Sequence, residues 1–195
     1  MTRAKLTIKH SQQNKLVFSE EDLRWATPEI VADYRAKRLK CKIIADIGCG
    51  IGLQSFSLAK YCQKVYAVEI DKEKLEKAKE NAKILGIKNI VFINGDALNP
   101  KIIAQLKDAE IIFCDPERLP QETVRSTETI KPNISELLNK YSKITDKIAI
   151  EFPPQTKEIP LQCEKEYISV EGVLNRLTLY FGDLQQTPKS VILLP

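Results

Sequence analysis

Four acids and three glycines carry most of the chemistry this chain can do. Asp46, Gly48, Gly50 and Gly52 stand at alternate positions; Glu69 follows Gly52 by 17 residues, with Asp96 and Asp115 further on. Each acid closes or follows a short apolar run: Ile43–Ile47, Lys64–Ile70, Asn89–Ala97 and Glu110–Cys114. Glycine lets a turn adopt positive φ and lets a ligand approach without a Cβ in the way. The first-turn N–H groups of a following helix then face that ligand. A carboxylate at the end of the next parallel strand can accept two ribose hydroxyls at once. The set therefore points to a nucleotide-type cofactor. A dinucleotide fingerprint needs its third glycine where Leu53 stands, which disfavours nicotinamide oxidoreduction.

The elements that must position these residues alternate along the chain. Leu53, Phe56 and Ala59 have helical spacing after the glycines. A second helix opens at Asp71-Lys72-Glu73 and ends at Gly86, a third runs from about Pro100 to Leu106, and a fourth from Ile134 to Tyr141. Lys147–Phe152 is a further strand, stopped by Pro153-Pro154. Glu166–Val170 and Val173–Phe181 flank Glu171-Gly172 as a hairpin, and Lys189–Leu194 adds another strand. Upstream, Thr27-Pro28 reads as a helix start, with Thr27 the N-cap and Pro28 the first helical position. Arg35, Lys37, Arg38 and Lys40 give that helix a basic face, either solvated or phosphate-binding. Residues 1–22 read as an N-terminal arm that packs Leu16-Val17-Phe18 onto a single domain spanning 23–195.

Bulk properties narrow the setting. The 195 residues are 43% hydrophobic and 29% charged, an ordinary globular composition. No membrane span or signal peptide is evident, so the expected location is the cytoplasm. Five scattered cysteines and one histidine offer no metal-ligand spacing, so no metal site is expected and the thiols read as free. A net charge of +4 permits a nucleic-acid partner without demanding one.

The Asp46-x-Gly48-x-Gly50-x-Gly52 pattern resembles motif I of the class I S-adenosylmethionine-dependent methyltransferases. Asp96 with the Ala97 N–H is similar to that family's adenine clamp, and Asp115-Pro116 resembles its motif IV, which faces the transferable methyl. Trp25-Ala26-Thr27-Pro28-Glu29 looks like the segment before the cofactor loop in trimethylguanosine synthase-like RNA methyltransferases. The Asp115-Pro116-Glu117-Arg118 box, Glu151-Phe152-Pro153-Pro154 and Tyr167–Gly172 resemble the THUMP-like methyltransferase group. Asp115-Pro116-x-Arg118 is also similar to motif IV of archaeal tRNA guanine-N1 methyltransferases.

The resemblance implies an α/β, Rossmann-like, mostly parallel seven-stranded sheet with helices on both faces and an antiparallel C-terminal hairpin. It implies S-adenosylmethionine as cofactor, held by Trp25, Thr27, Pro28, Asp46, Gly48, Cys49, Gly50, Gly52, Glu69, Ile70, Asp96, Ala97 and Asp115. Asp115, Pro116 and Arg118 become the catalytic candidates, with Arg118 on a substrate phosphate or carbonyl or in a local salt bridge. Glu117 and Arg118 depart from the amino-methylating (D/N)-P-P-(Y/F/W) box, which removes its stacking aromatic; Trp25 or Phe152 is the expected replacement. The expected substrate is a base nitrogen in RNA, tRNA or another structured RNA, contacted by the arm and the Arg35–Lys40 helix. A small-molecule or protein methyltransferase and a catalytically silent cofactor-binding module are the alternatives.

Overall fold

A computed structural model of the chain describes residues 8–116, 132–156 and 159–195. Its strands are β1 (Ile43–Ile47), β2 (Lys64–Glu69), β3 (Ile90–Asn94), β4 (Ile111–Cys114), β5 (Ile148–Phe152), β6 (Glu164–Val170), β7 (Val173–Tyr180) and β8 (Lys189–Leu194). They form one eight-stranded sheet in the order β3-β2-β1-β4-β5-β7-β6-β8. The chain winds outward from β1 through β2 to β3, then returns to lay β4 on the other side of β1. β7 alone among these strands runs antiparallel to its neighbours. The seven-stranded expectation is corrected to eight because Lys189–Leu194 pairs parallel with β6 and extends the sheet.

Helices cover both faces. α2 (Glu29–Arg38), α3 (Leu53–Tyr61) and α4 (Lys72–Ile84) lie on one side, where Ala36, Leu39 and Leu58 pack against Ile44, Val65, Phe113 and Tyr180. On the other, α5 (Pro100–Ile103) and α6 (Ile134–Tyr141) set Ile102, Leu137 and Tyr141 against Ile47, Val68, Ile112 and Ile150. The parallel strands are apolar on both faces because both are covered. α4 begins at Asp71, whose side chain accepts the Glu73 and Lys74 N–H groups, and gives way to Gly86 at φ 70°.

The N-terminal segment is fastened to this body. Leu16 is buried with Ile51, Leu53, Phe56 and Ala82. The buried Asn81 amide exchanges hydrogen bonds with Val17, accepting its N–H at 2.7 Å and donating to its carbonyl at 3.0 Å. α1 (Glu20–Trp25) follows, with a Ser19–Asp22 capping box and Asp22 paired to Lys77 at 3.0 Å. α2 starts at Glu29, so Pro28 is its N-cap residue and Thr27 lies before the helix; both sit one position earlier than expected.

Arg35 and Arg38 turn inward from α2, which removes them from any phosphate-binding surface, while Lys37 and Lys40 stay exposed. Arg35 is fully buried: it donates to Glu151 at 2.6 Å and to Gln54 at 2.7 Å, and lies over the Phe113 ring. Arg38 donates to Glu164 at 2.7 Å, pairs with Glu166 and stacks on Tyr180. Residues three apart share a helix face. The paired strands bring Glu151, Thr178 and Glu166 into one row beneath it. Burial alone would lower the Arg35 pKa, but Glu151 holds it above its ordinary value. Removing one partner of a buried pair strands the other charge, whereas replacing both by apolar groups is often neutral. Glu151→Leu, which strands both Arg35 and Arg176, should therefore cost about 3–5 kcal/mol in urea unfolding, and Arg35→Met, which leaves Glu151 its Arg176 partner, should cost less.

Candidate functional site

The reversal between β2-side and β4-side winding opens a crevice at the C-terminal ends of β1 and β4, the place where open parallel sheets take ligands. A cavity of about 880 Å³ lies there. Its wall includes Asp46, Gly48, Cys49, Gly50, Glu69, Ile70, Asp96, Ala97, Asp115 and Pro116 from the sheet side, and Trp25 and Thr27 from the N-terminal side. Twelve expected residues are thus brought to one concave surface.

The glycine loop has a steric cause. Gly48 has φ 79°, and a Cβ there would sit 2.8 Å from the Asp115 carbonyl oxygen. The turn after β1 therefore rests directly on the turn after β4. Gly52 caps α3 in the left-handed region, and a Cβ there would meet the Phe56 ring at 2.5 Å. Gly52 thus shapes the loop from behind, and among the described residues it is not in the cavity wall. Leu53 and Gln54, in the first turn of α3, are in that wall.

Glu69 braces the same loop. Its carboxylate accepts the Gly50 N–H at 2.8 Å and the Asp71 N–H at 3.0 Å. A carboxylate offers about four lone-pair positions, so capacity remains for further donors. Asn94 and Gly95 donate to the Glu69 carbonyl at 2.9 and 3.0 Å, which fixes the β3 exit beside β2. Asp96 is exposed and accepts the Leu98 N–H at 2.8 Å, while Ala97 is held by Tyr141, whose hydroxyl donates to its carbonyl at 2.8 Å.

Asp46 is fully buried, accepts from the Ser55 hydroxyl through Oδ2, and has no hydrogen-bond partner for Oδ1 among the described residues. Burial raises its carboxyl pKa to about 7, with Glu69 adding to the rise and Ser55 and Arg35 opposing it. An orphaned carboxylate oxygen in a cavity wall suits a cationic or hydrogen-bond-donating ligand. With the glycine cradle and the spare capacity of Glu69, these residues fit a cofactor carrying ammonium, sulfonium and ribose groups.

Trp25 is 46% exposed, with the Arg24 guanidinium 5.3 Å from its ring centre. Phe152 is fully buried in the core and cannot offer a stacking face, because its strand is covered on both sides. Pro28 is absent from the described wall, being the N-cap of α2. Arg118 and the 121–131 part of the expected loop lie outside the described residues.

Sequence reasoning missed Gln54, Glu151 and Arg176 as wall residues. Arg176 Nε lies 2.6 Å from Glu151 Oε1, and Glu151 Oε2 takes Arg35. The signal available was a glutamate within the otherwise apolar run Ile148–Phe152.

Comparison with known proteins agrees with this geometry. Residues 40–171 match the family described as methyltransferase domain. An uncharacterised RNA methyltransferase of Oceanobacillus iheyensis is 41% identical over 81 residues, 40% of this chain and 18% of that protein. The release factor glutamine methyltransferase of Bacillus anthracis is 32% identical over 128 residues, 64% of this chain and 44% of that protein. The match to the Oceanobacillus protein thus covers about a fifth of that relative's length. A crystal structure of a Porphyromonas gingivalis protein assigned to the methyltransferases superposes with a TM-score of 0.74 at 16% identity, covering 87% of this chain and 44% of that one.

A buried carboxyl whose native pKa lies above its unfolded value keeps a proton that the unfolded chain releases. Stability then falls as pH rises from about 4 to 7. Asp46→Asn removes that titration. Its stability relative to the unsubstituted protein should climb by up to about 4 kcal/mol between pH 4 and pH 8, read from urea unfolding at each pH.

Proposed function

This chain belongs to the methyltransferase-domain family, and from that premise we propose that it transfers a methyl group from S-adenosylmethionine to a base nitrogen of RNA. The observation that carries the cofactor half is the Gly48–Gly50 cradle closed by Glu69, with the orphaned Asp46 Oδ1 in the same wall. In this reading the α3 N-terminus and loop amides take the carboxylate end, Glu69 the ribose hydroxyls, and Ile70, Asp96 and the Ala97 N–H the adenine. S-adenosylmethionine supplies an electrophilic methyl on a sulfonium that is already a good leaving group.

The protein's own task is then positioning. Holding the acceptor nitrogen in line, about 3 Å from the methyl, supplies most of the rate. Asp115 is the group proposed to orient that nitrogen or take its proton, with Pro116 shaping the turn and Arg118 reaching a substrate phosphate or carbonyl. Trp25, half-exposed beside Arg24, is the proposed platform on which the target base stacks. Support for RNA comes from this platform and from the Oceanobacillus relative. tRNA or another structured RNA is the proposed substrate class. With Arg35 and Arg38 internal, backbone contacts fall to residues other than those two. A protein acceptor is the second reading, favoured by the longer match to the glutamine methyltransferase.

Incubating the chain with methyl-labelled S-adenosylmethionine and total RNA from its source should place label in one nucleoside, identified by nuclease digestion and mass spectrometry. Asp115→Ala should lower that incorporation by about 10²-fold or more while calorimetry still detects the cofactor. Cofactor binding without labelled RNA would sink the RNA reading, and label in added protein substrates would establish the second one.

A further inference from the structure

On the sheet edge opposite the cofactor crevice, the parallel register sets two thiols side by side. Ile43 of β1 pairs with Lys64 of β2, and Cys41 and Cys62 each stand two residues before a member of that pair. Both Gln63 and Lys64 donate their N–H to the Lys42 carbonyl at 3.0 Å, which locks the two entering segments together. As a result the Cys41 and Cys62 sulfurs lie 3.9 Å apart. Cys41 is partly exposed and Cys62 is buried. Both line a surface cavity of about 510 Å³ whose other charged walls are Lys40, Lys42, Lys60 and Glu110.

We propose that Cys41 and Cys62 form a thiol–disulfide exchange site for small, carboxylate-bearing disulfides, whose product is an intramolecular Cys41–Cys62 bond. Contact between the sulfurs supplies the second thiol at once, and Lys40 and Lys42 against Glu110 favour an anionic reagent at the cavity, the Lys60 charge being taken by Asp33 and Glu29. The hydrogen bond between the two sulfurs lowers the Cys62 pKa and raises that of Cys41, so the pair gives up its first proton from Cys62. Burial pushes the Cys49, Cys114 and Cys163 thiols up, which leaves those three less reactive.

The exchange balances without another reactant. The Cys62 thiolate attacks one sulfur of R–S–S–R, forming a mixed disulfide and releasing R–S⁻. The Cys41 sulfur, its proton passing to the released thiolate, then attacks the Cys62 sulfur and expels the second R–S⁻, protonated from solvent. The two protein thiols are oxidised by two electrons, and one small disulfide is reduced to two thiols. The ring so closed contains β1, the Gly48–Gly52 loop and α3, so the bond staples the unit that frames the cofactor crevice from behind.

The full chain, reduced and then exposed to oxidised glutathione under native conditions, tests this directly. Intact mass should fall by two hydrogens with no retained glutathione, and peptide mapping should join Cys41 to Cys62. Oxidation should raise the thermal midpoint by several degrees, and salt should slow the reaction as it screens the lysines. Cys41→Ser, which removes the resolving sulfur, should keep one glutathione on Cys62. Stable glutathione adducts on the unsubstituted chain, a bond between other cysteines, or no reaction would each overturn the exchange site. A rate indifferent to salt would remove the preference for anionic disulfides.

Discussion

The buried chain of charge from Arg35 through Glu151 to Arg176 is the constraint on which the rest of the structure turns. Arg35 belongs to α2, Glu151 to β5 and Arg176 to β7, so one carboxylate joins a helix to two strands that run in opposite directions. Three guanidiniums and three carboxylates (Arg35, Arg38 and Arg176 against Glu151, Glu164 and Glu166) balance on this face of the sheet. Burying unequal numbers would leave a net charge in low dielectric, a cost of several kcal/mol that packing alone would have to offset. Because Glu151 and Arg176 also line the crevice, the pairing that orients the helix sets one wall of the cavity. A polar network of this kind fixes one arrangement more sharply than apolar contact does, since a shifted helix would leave Arg35 and Arg38 without their carboxylates.

The crevice itself follows from backbone contacts more than from side chains. The Gly48 turn sits against the Asp115 carbonyl, Glu69 ties the Gly50 and Asp71 amides together, and the β3 exit hangs on the Glu69 carbonyl. Four strand ends are thereby held as one rigid rim. The N-terminal segment closes the rim from the side: Asn81 of α4 holds Val17 and also reaches the Ile51 carbonyl at 3.3 Å, so arm and glycine loop share one amide. Placement of Trp25 at the cavity mouth depends on that anchorage.

Much of this was legible in the sequence, and the failures have physical reasons. Strand, glycine turn and helix could be read from Ile43 to Lys60 because apolar period and backbone-permissive residues coincide there. The Ile134–Tyr141 helix was likewise plain from its apolar spacing. Sequence could not show that Arg35 and Arg38 are internal. Their partners lie on strands more than a hundred residues away, and a helix with basic residues at this spacing looks solvated until those carboxylates are in view. Arg176 escaped because its partner Glu151 lies on the neighbouring antiparallel strand, a contact that appears only once the sheet is assembled. The cysteines were misleading in the other direction: no short spacing links Cys41 to Cys62, yet the offset between paired parallel strands brings them into contact.

Charge also bears on what the crevice can admit. Among the described residues its wall carries eight carboxylate residues (Glu21, Asp22, Asp46, Glu69, Asp96, Asp115, Glu136 and Glu151) against Arg24, Lys74 and Arg176, with Asp22, Glu136 and Glu151 also paired to Lys77, Lys140 and Arg35. Such a surface repels phosphate and favours a sulfonium, and at a distance below a Debye length of about 8 Å salt does little to change that. For an RNA acceptor the consequence is geometric. The phosphates must stay at the rim, where Arg24 stands beside Trp25, while a neutral base leaves its stack and enters alone. An extended single strand lying along the cavity would bring its phosphates against the acids. A flipped nucleotide from a structured RNA avoids that contact, and the same preference for neutral groups would hold for a side-chain amide presented by a protein.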